Sequence, residues 1–236
     1  MAQAGEQNLL VLTFYMIGIS YVFNRMVDSI DDKVKYEFDK GAIDEQLKEH
    51  NLQDDVGVAF KFDPSYDIGN LKEMKLLLNN KSENLGVYVD WDNTSLVIDF
   101  DNSSHRIIRT SPDLSRDLGT PQHPTLVAPK KGIAATFSIE SSFKRDQEKG
   151  TYSPEKPIIP IAGLEKHPVK ARRILYKDFI TRKKNIAYSL QLVLRVSDLR
   201  VGVAPGENKP PMYIIDCPFT IKKLPWTYAM PWNKRR

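Results

Sequence analysis

A single cysteine, Cys217, rules out an intrachain disulfide, so stability has to come from packing. It stands in the alternating run YIIDCPFTI, where a small buried hydrophobe is expected. A nucleophilic role would need a histidine and an electropositive setting beside it. A lone cysteine fits a reducing compartment. The four histidines, His50, His105, His123 and His167, have no H-x3-H or H-E-x-x-H spacing, so the sequence writes no zinc site. No G-x-S-x-G, Walker A or Rossmann fingerprint occurs, and there is no RNA-binding motif, repeat or low-complexity tract. Two D-x-D pairs, Asp90 with Asp92 and Asp99 with Asp101, fail the EF-hand pattern, which needs Gly at the sixth position and Glu at the twelfth. Strand alternation predicts that both carboxylates of a pair face solvent. No catalytic residue, metal ligand or cofactor site is assigned, and the chain is read as non-enzymatic. An enzyme survives only as a site assembled in space.

What is present is an ordinary globular mixture, 41% hydrophobic and 27% charged over 236 residues, enough for a core without staples. The charge is uneven. Residues 1–110 carry 11 Lys and Arg against 19 Asp and Glu, a net of −8, whereas residues 111–236 carry 23 against 11, a net of +12. An acidic half and a basic half point to an anionic partner: a phospholipid surface, nucleic acid or an acidic protein.

The most apolar stretch is LLVLTFYMIGISYVF, residues 9–23, fifteen residues without a charge, opening at Leu9 and closing at Phe23. As a helix it spans about 22 Å against a hydrocarbon layer of about 30 Å. Asn8, Asn24 and the stem of Arg25 extend it by snorkelling, and the bilayer can thin. A cleaved signal sequence would open with basic residues, yet MAQAGEQN has none, and VFNRMVD offers no small-x-small cleavage site. A surface helix would show a polar stripe at a period of 3.6, and none occurs. The expectation is an uncleaved single-pass anchor in the bilayer, with a buried core helix or strand as the alternative. Arg25, Lys33 and Lys35 follow the run and no Lys or Arg precedes it, which places the soluble domain on the cytoplasmic side.

The rest divides into a charged stalk over 28–55, a β domain over 56–224 and a basic, aromatic tail over 225–236, with the tail and anchor of 1–27 in front. Short apolar runs separated by Asn, Ser, Gly and Asp read as strands and turns. The clearest is IAYSLQLVLRV, where Ile186, Tyr188, Leu190, Leu192, Leu194 and Val196 take alternate positions. A second has Tyr213, Ile215, Cys217, Phe219 and Ile221 on one side, and Pro218 on the other suggests an edge or a bulge. ARRILYKDFITRKK, from Ala171, is the helix candidate, with Ile174, Leu175 and Phe179 as its apolar edge. The fold expected is mainly β: an antiparallel immunoglobulin-like sandwich with one or two short helices and an N-terminal transmembrane helix.

The stretch NNKSENLGVYVDWDNTSLVIDFDNSSHRIIRT, from Asn79, followed by PTLVAP from Pro124, resembles immunoglobulin-like accessory domains of bacterial membrane-associated proteins and lipoproteins. The likeness covers about fifty residues: an Asn-rich turn, a strand ending in Trp91-Asp92, a hairpin, the His105-Arg106-Ile107 strand and a Pro-bounded crossover. It implies a fold and a membrane location but no active site. There is no lipobox cysteine, so lipidation is not implied. Physically, Trp91 supplies a large inward ring and Asp90, Asp92 and Asn93 favour the turn beside it.

The basic half concentrates in residues 166–184, with eight Lys or Arg and one acid, Asp178, and in the ending KKLPWTYAMPWNKRR. Trp and Tyr beside Lys and Arg suit a lipid interface. Candidate partner- or membrane-binding residues are therefore Arg172, Arg173, Lys177, Lys183, Lys184, Trp226, Tyr228, Trp232, Lys234, Arg235 and Arg236. The alternative for Trp226 and Trp232 is to pack back on the sandwich. The expected function is a membrane-anchored accessory, assembly or scaffolding subunit that binds a membrane protein complex, with nucleic acid disfavoured. The runner-up is a soluble domain binding RNA or anionic lipid through the basic half.

Overall fold

The uncharged run lies on a helix, α1, Ala2–Asp31, in a computed structural model that describes residues 2–110, 118–148, 150–198 and 210–230, with side chains from residue 8 onward. There follow β1 (Lys33–Phe38), α2 (Lys40–Glu49), β2 (Val56–Lys61), β3 (Tyr66–Asp67), β4 (Met74–Asn80), β5 (Leu85–Val89), β6 (Ser95–Ile98) and β7 (Ser103–Arg109). Then come β8 (Thr125–Val127), β9 (Gly132–Ile139), β10 (Phe143–Arg145), β11 (Tyr152–Pro154), α3 (Lys170–Ile180), β12 (Ile186–Asp198) and β13 (Met212–Lys223). Among the described residues the protein is mainly antiparallel β, with three α-helices, of which the first is apolar.

Strands pair in the order β2-β4-β9-β7-β6-β12-β13-β1-β3, with β5 and β8 attached beside β12. This is one hydrogen-bonded path, where a sandwich of two separate sheets was the expectation. The path curls because β7 changes partner midway: Ser103 to Arg106 pair with β6, and Ile107 to Arg109 pair with β9. A strand that switches sheets makes a corner. The two halves of the path therefore face each other. The Phe60 ring on β2 lies 4.8 Å from Phe219 on β13, and the Tyr188 hydroxyl on β12 is 4.0 Å from the Met74 sulfur on β4.

The alternating residues of β12 and β13 supply the central wall. Ile186, Tyr188, Leu190, Leu192 and Leu194 are buried, as are Ile215, Cys217, Phe219 and Ile221. Trp91 is fully buried; its indole N–H donates to Thr125 Oγ1 at 2.8 Å and the Arg109 guanidinium lies 5.3 Å from the ring centroid. Removing a large apolar side chain from water contributes about 1.5–3 kcal/mol.

Residues 28–55, assigned from sequence to a stalk, carry the end of α1 together with β1 and α2. β1 is hydrogen-bonded between β13 and β3, and α2 buries Ile43 and Leu47. Their many charges line solvent-facing positions while alternate residues, Val34 and Tyr36, reach the core. α3 falls where the helix was expected and buries Phe179, with Leu175 partly covered, but Ile174 is exposed.

Candidate membrane-facing site

The helix α1 leaves its apolar run uncovered. Twelve large apolar side chains between Leu9 and Phe23 are 41–72% exposed. From Asn8 to Asp31 it is long and apolar enough to cross a membrane. Only its last turns meet the β body, where Ile30 is buried.

Three elements converge there. β13 ends at Lys223, and the chain turns at Pro225 into a 3-10 turn, Trp226–Ala229, that packs along α1. The indole of Trp226 meets the ring of Phe23 edge-on, with centroids 5.9 Å apart. Met230 shares an apolar groove of the helix with Phe14, Ile19, Val22 and Met26. Trp226 thus sits beside the last residue of the uncharged run.

The third element is the end of α3. Thr181 closes the helix and Arg182 takes a left-handed conformation, φ 62°, from which its N–H donates to the Phe179 carbonyl at 2.9 Å. The turn brings Ile180 and Arg182 to a cavity of about 230 Å³ shared with Val27, Ile30, Asp31, Lys223, Leu224 and Trp226. The Lys223 side chain is 4% exposed, and its ammonium has no hydrogen-bond partner among the described residues. It forms an ion pair with Asp31 Oδ1 at 3.6 Å, longer than a hydrogen bond, and that carboxylate is 82% exposed.

The structure sorts the sequence candidates. Trp226 is exposed at the junction and Tyr228 is half-buried beside it. Arg173, Lys177 and Lys183 are exposed on or just beyond α3. Arg172 is held in the fold instead: it pairs with Asp101, and its Nη1 lies 2.8 Å from His167 Nε2. Lys184 lies 3.8 Å from Asp178. Trp232, Lys234, Arg235 and Arg236 lie outside the described residues. Sequence reasoning passed over Lys223 and Arg182. The alternation of β13 carried a signal for the first, since Lys223 is the next inward position after Ile221.

Elsewhere, Cys217 and Tyr36 are titratable groups buried in the core. Burial pushes the Cys217 thiol well above its usual range, and its Sγ contacts the Ile215 carbonyl. Burial, with Tyr66 nearby, likewise raises Tyr36. Among the described residues no cluster of three or more His, Cys, Asp or Glu is arranged to hold a metal.

No protein-family model and no curated protein matches the chain. A crystal structure of a protein from Archaeoglobus fulgidus is similar over 72% of this chain and 97% of its own, at 9% identity and a TM-score of 0.24.

Proposed function

We propose that this protein is a non-enzymatic, membrane-anchored accessory or scaffolding subunit: α1 crosses the bilayer once, and the β body binds a membrane protein complex at its surface. The observation that carries this reading is the uncovered run from Leu9 to Phe23. A contiguous apolar surface of that size requires lipid or another protein around it. Trp226 beside Phe23 and the exposed cations of α3 support a body seated against headgroups. Arg25, Lys33 and Lys35, on the body side of the span, favour the cytoplasmic face. Immunoglobulin-like accessory domains are the analogue taken for the body. Two facing apolar layers and the buried Trp91 support that analogy, and the continuous path through β7 departs from it.

Washing membranes with carbonate tests the anchor. The wild type is expected in the pellet. Arginine at two mid-span positions, Leu12→Arg with Ile17→Arg, is expected to release the protein, since each costs about 2.5–3.5 kcal/mol at the centre of a span. Release of the wild type itself would refute the anchor in favour of a soluble domain that binds RNA or anionic lipid through its basic half.

A further inference from the structure

We propose that the cavity at the foot of α1 is a docking site for the phosphate of an anionic phospholipid, with Lys223 and Arg182 as its cations. The inference rests on the membrane-anchored reading and names the ligand of that junction. Its starting point is the enclosed ammonium of Lys223, which has no hydrogen-bond partner among the described residues. Burying a charge without hydrogen bonds is costly, and a group left so in a native fold is normally met by an ion or a water. Asp31 meets the ammonium only in a long ion pair, 3.6 Å, from a carboxylate mostly in solvent, so a ligand anion that also offers hydrogen bonds can compete for it.

Charge balance then defines the ligand. Two cations and one carboxylate line the cavity, leaving one positive charge, and a phosphodiester carries one negative charge. The volume of about 230 Å³ is several times the share of a single water, about 30 Å³, so a phosphate group fits. The remaining walls, among them Val27, Ile30, Leu224 and Trp226, are apolar. They suit the glycerol and the first methylenes of a lipid and offer nothing to a free phosphate.

Depth points the same way. Val27 and Asp31 lie four and eight residues beyond Phe23 on one continuous helix, which is about 6 and 12 Å along its axis. The headgroup layer occupies about 5–7 Å on each side of the hydrocarbon. With Phe23 at the hydrocarbon edge, the Val27 side of the cavity falls within the headgroup layer and the Asp31 side at its outer margin, so a lipid phosphate meets the cavity from the Val27 side.

The test uses the full chain in non-ionic detergent, with native mass spectrometry counting lipid retained from phosphatidylglycerol, from phosphatidylcholine, or from inorganic phosphate alone. A single phosphatidylglycerol per chain is expected, favoured over phosphatidylcholine by at least about fivefold, the worth of one cation near an anionic surface. No inorganic phosphate adduct is expected. Lys223→Met keeps most of the unbranched side chain without its charge, and Arg182→Gln changes an exposed residue; each is expected to lower phosphatidylglycerol retention at least about fivefold. Arg182→Gln decides the matter should Lys223→Met disturb the fold by circular dichroism. Unchanged retention in Arg182→Gln and in a folded Lys223→Met, equal retention of the two lipids, or a comparable inorganic phosphate adduct would each overturn the lipid assignment. Both variants should remain in the carbonate pellet. A wild-type protein missing from that pellet marks failure of the anchor reading, a separate result from failure of the lipid site.

Discussion

Asp90 follows the last residue of β5 and fastens the turn into β6 to the middle of β12. Its Oδ2 accepts from Arg195 Nε at 3.0 Å and Nη2 at 2.6 Å and from Asn93 Nδ2 at 3.0 Å. Its backbone N–H donates to the Val193 carbonyl at 3.0 Å, and Thr94 Oγ1 accepts from Val193 N at 3.1 Å. Val193 falls in the gap where β12 leaves β6, after Gln191, and takes up β5, at Leu194. These bonds satisfy backbone groups that the gap would otherwise leave bare. Burial raises the Asp90 carboxyl, but the bonds from Asn93 and Arg195 outweigh it and hold it below the usual carboxylate range. A depressed native value means stability that is present above the unfolded value, about 3.9, and lost as the pH falls through the native one. Asp90→Asn is therefore expected to lower stability by about 2 kcal/mol at pH 7. In urea titrations the gap to wild type should narrow below about pH 4, and a gap constant down to pH 2 would refute the charged role. The sequence placed this carboxylate on a solvent face because alternation was carried past the end of β5. Asp90 is in a turn, where period two no longer applies, and it is 4% exposed.

Alternation succeeds at the scale of the element wherever the strand runs on. β12 and β13 bury the residues their period selects, and the same period carries Lys223 inward. Pro218 belongs to β13, which is an inner strand with β12 on one side and β1 on the other, although proline suggested an edge. In a strand the N–H and C=O of one residue point to the same neighbour. The Pro218 carbonyl accepts from Asp39 N at 3.0 Å, so its missing donor also falls on the side of β1, just where β1 has ended at Phe38. The proline thus costs no ladder bond. Asp39 then begins α2 by accepting from Ala42 N–H at 3.2 Å, and Asn51, at φ 56°, ends it as Leu52 N–H returns to the Leu47 carbonyl at 2.8 Å. Asp39→Ala is expected to destabilise by about 1 kcal/mol, read from the midpoint of urea unfolding. Asp39→Asn should recover most of it. An alanine variant as stable as the wild type would show that α2 is held by Ile43 and Leu47 alone.

The curl is a property of the whole molecule. Five strands lie between those of Phe60 and Phe219 along the path, yet their rings touch and both are buried. A double-mutant cycle with Phe60→Leu and Phe219→Leu should return a coupling of about 0.5–1.5 kcal/mol beyond the two single losses. Additive losses would place the two strands on separate cores. The sequence by itself determined the uncharged run on α1, the strand character of the chain, the buried faces of β12 and β13, the α3 segment and the inward Trp91. Each follows from side chains close together in the chain: strands from apolar residues at period two, which have to leave water on one face, and the rest from local composition and size. Tertiary structure alone decided the rest. It placed the supposed stalk within the sheet as β1, turned β7 into a corner between two layers, and gathered α1, the end of α3 and the tail around Lys223. Those contacts join residues as distant as Asp31 and Lys223, and no local period encodes which distant surfaces come together to exclude water.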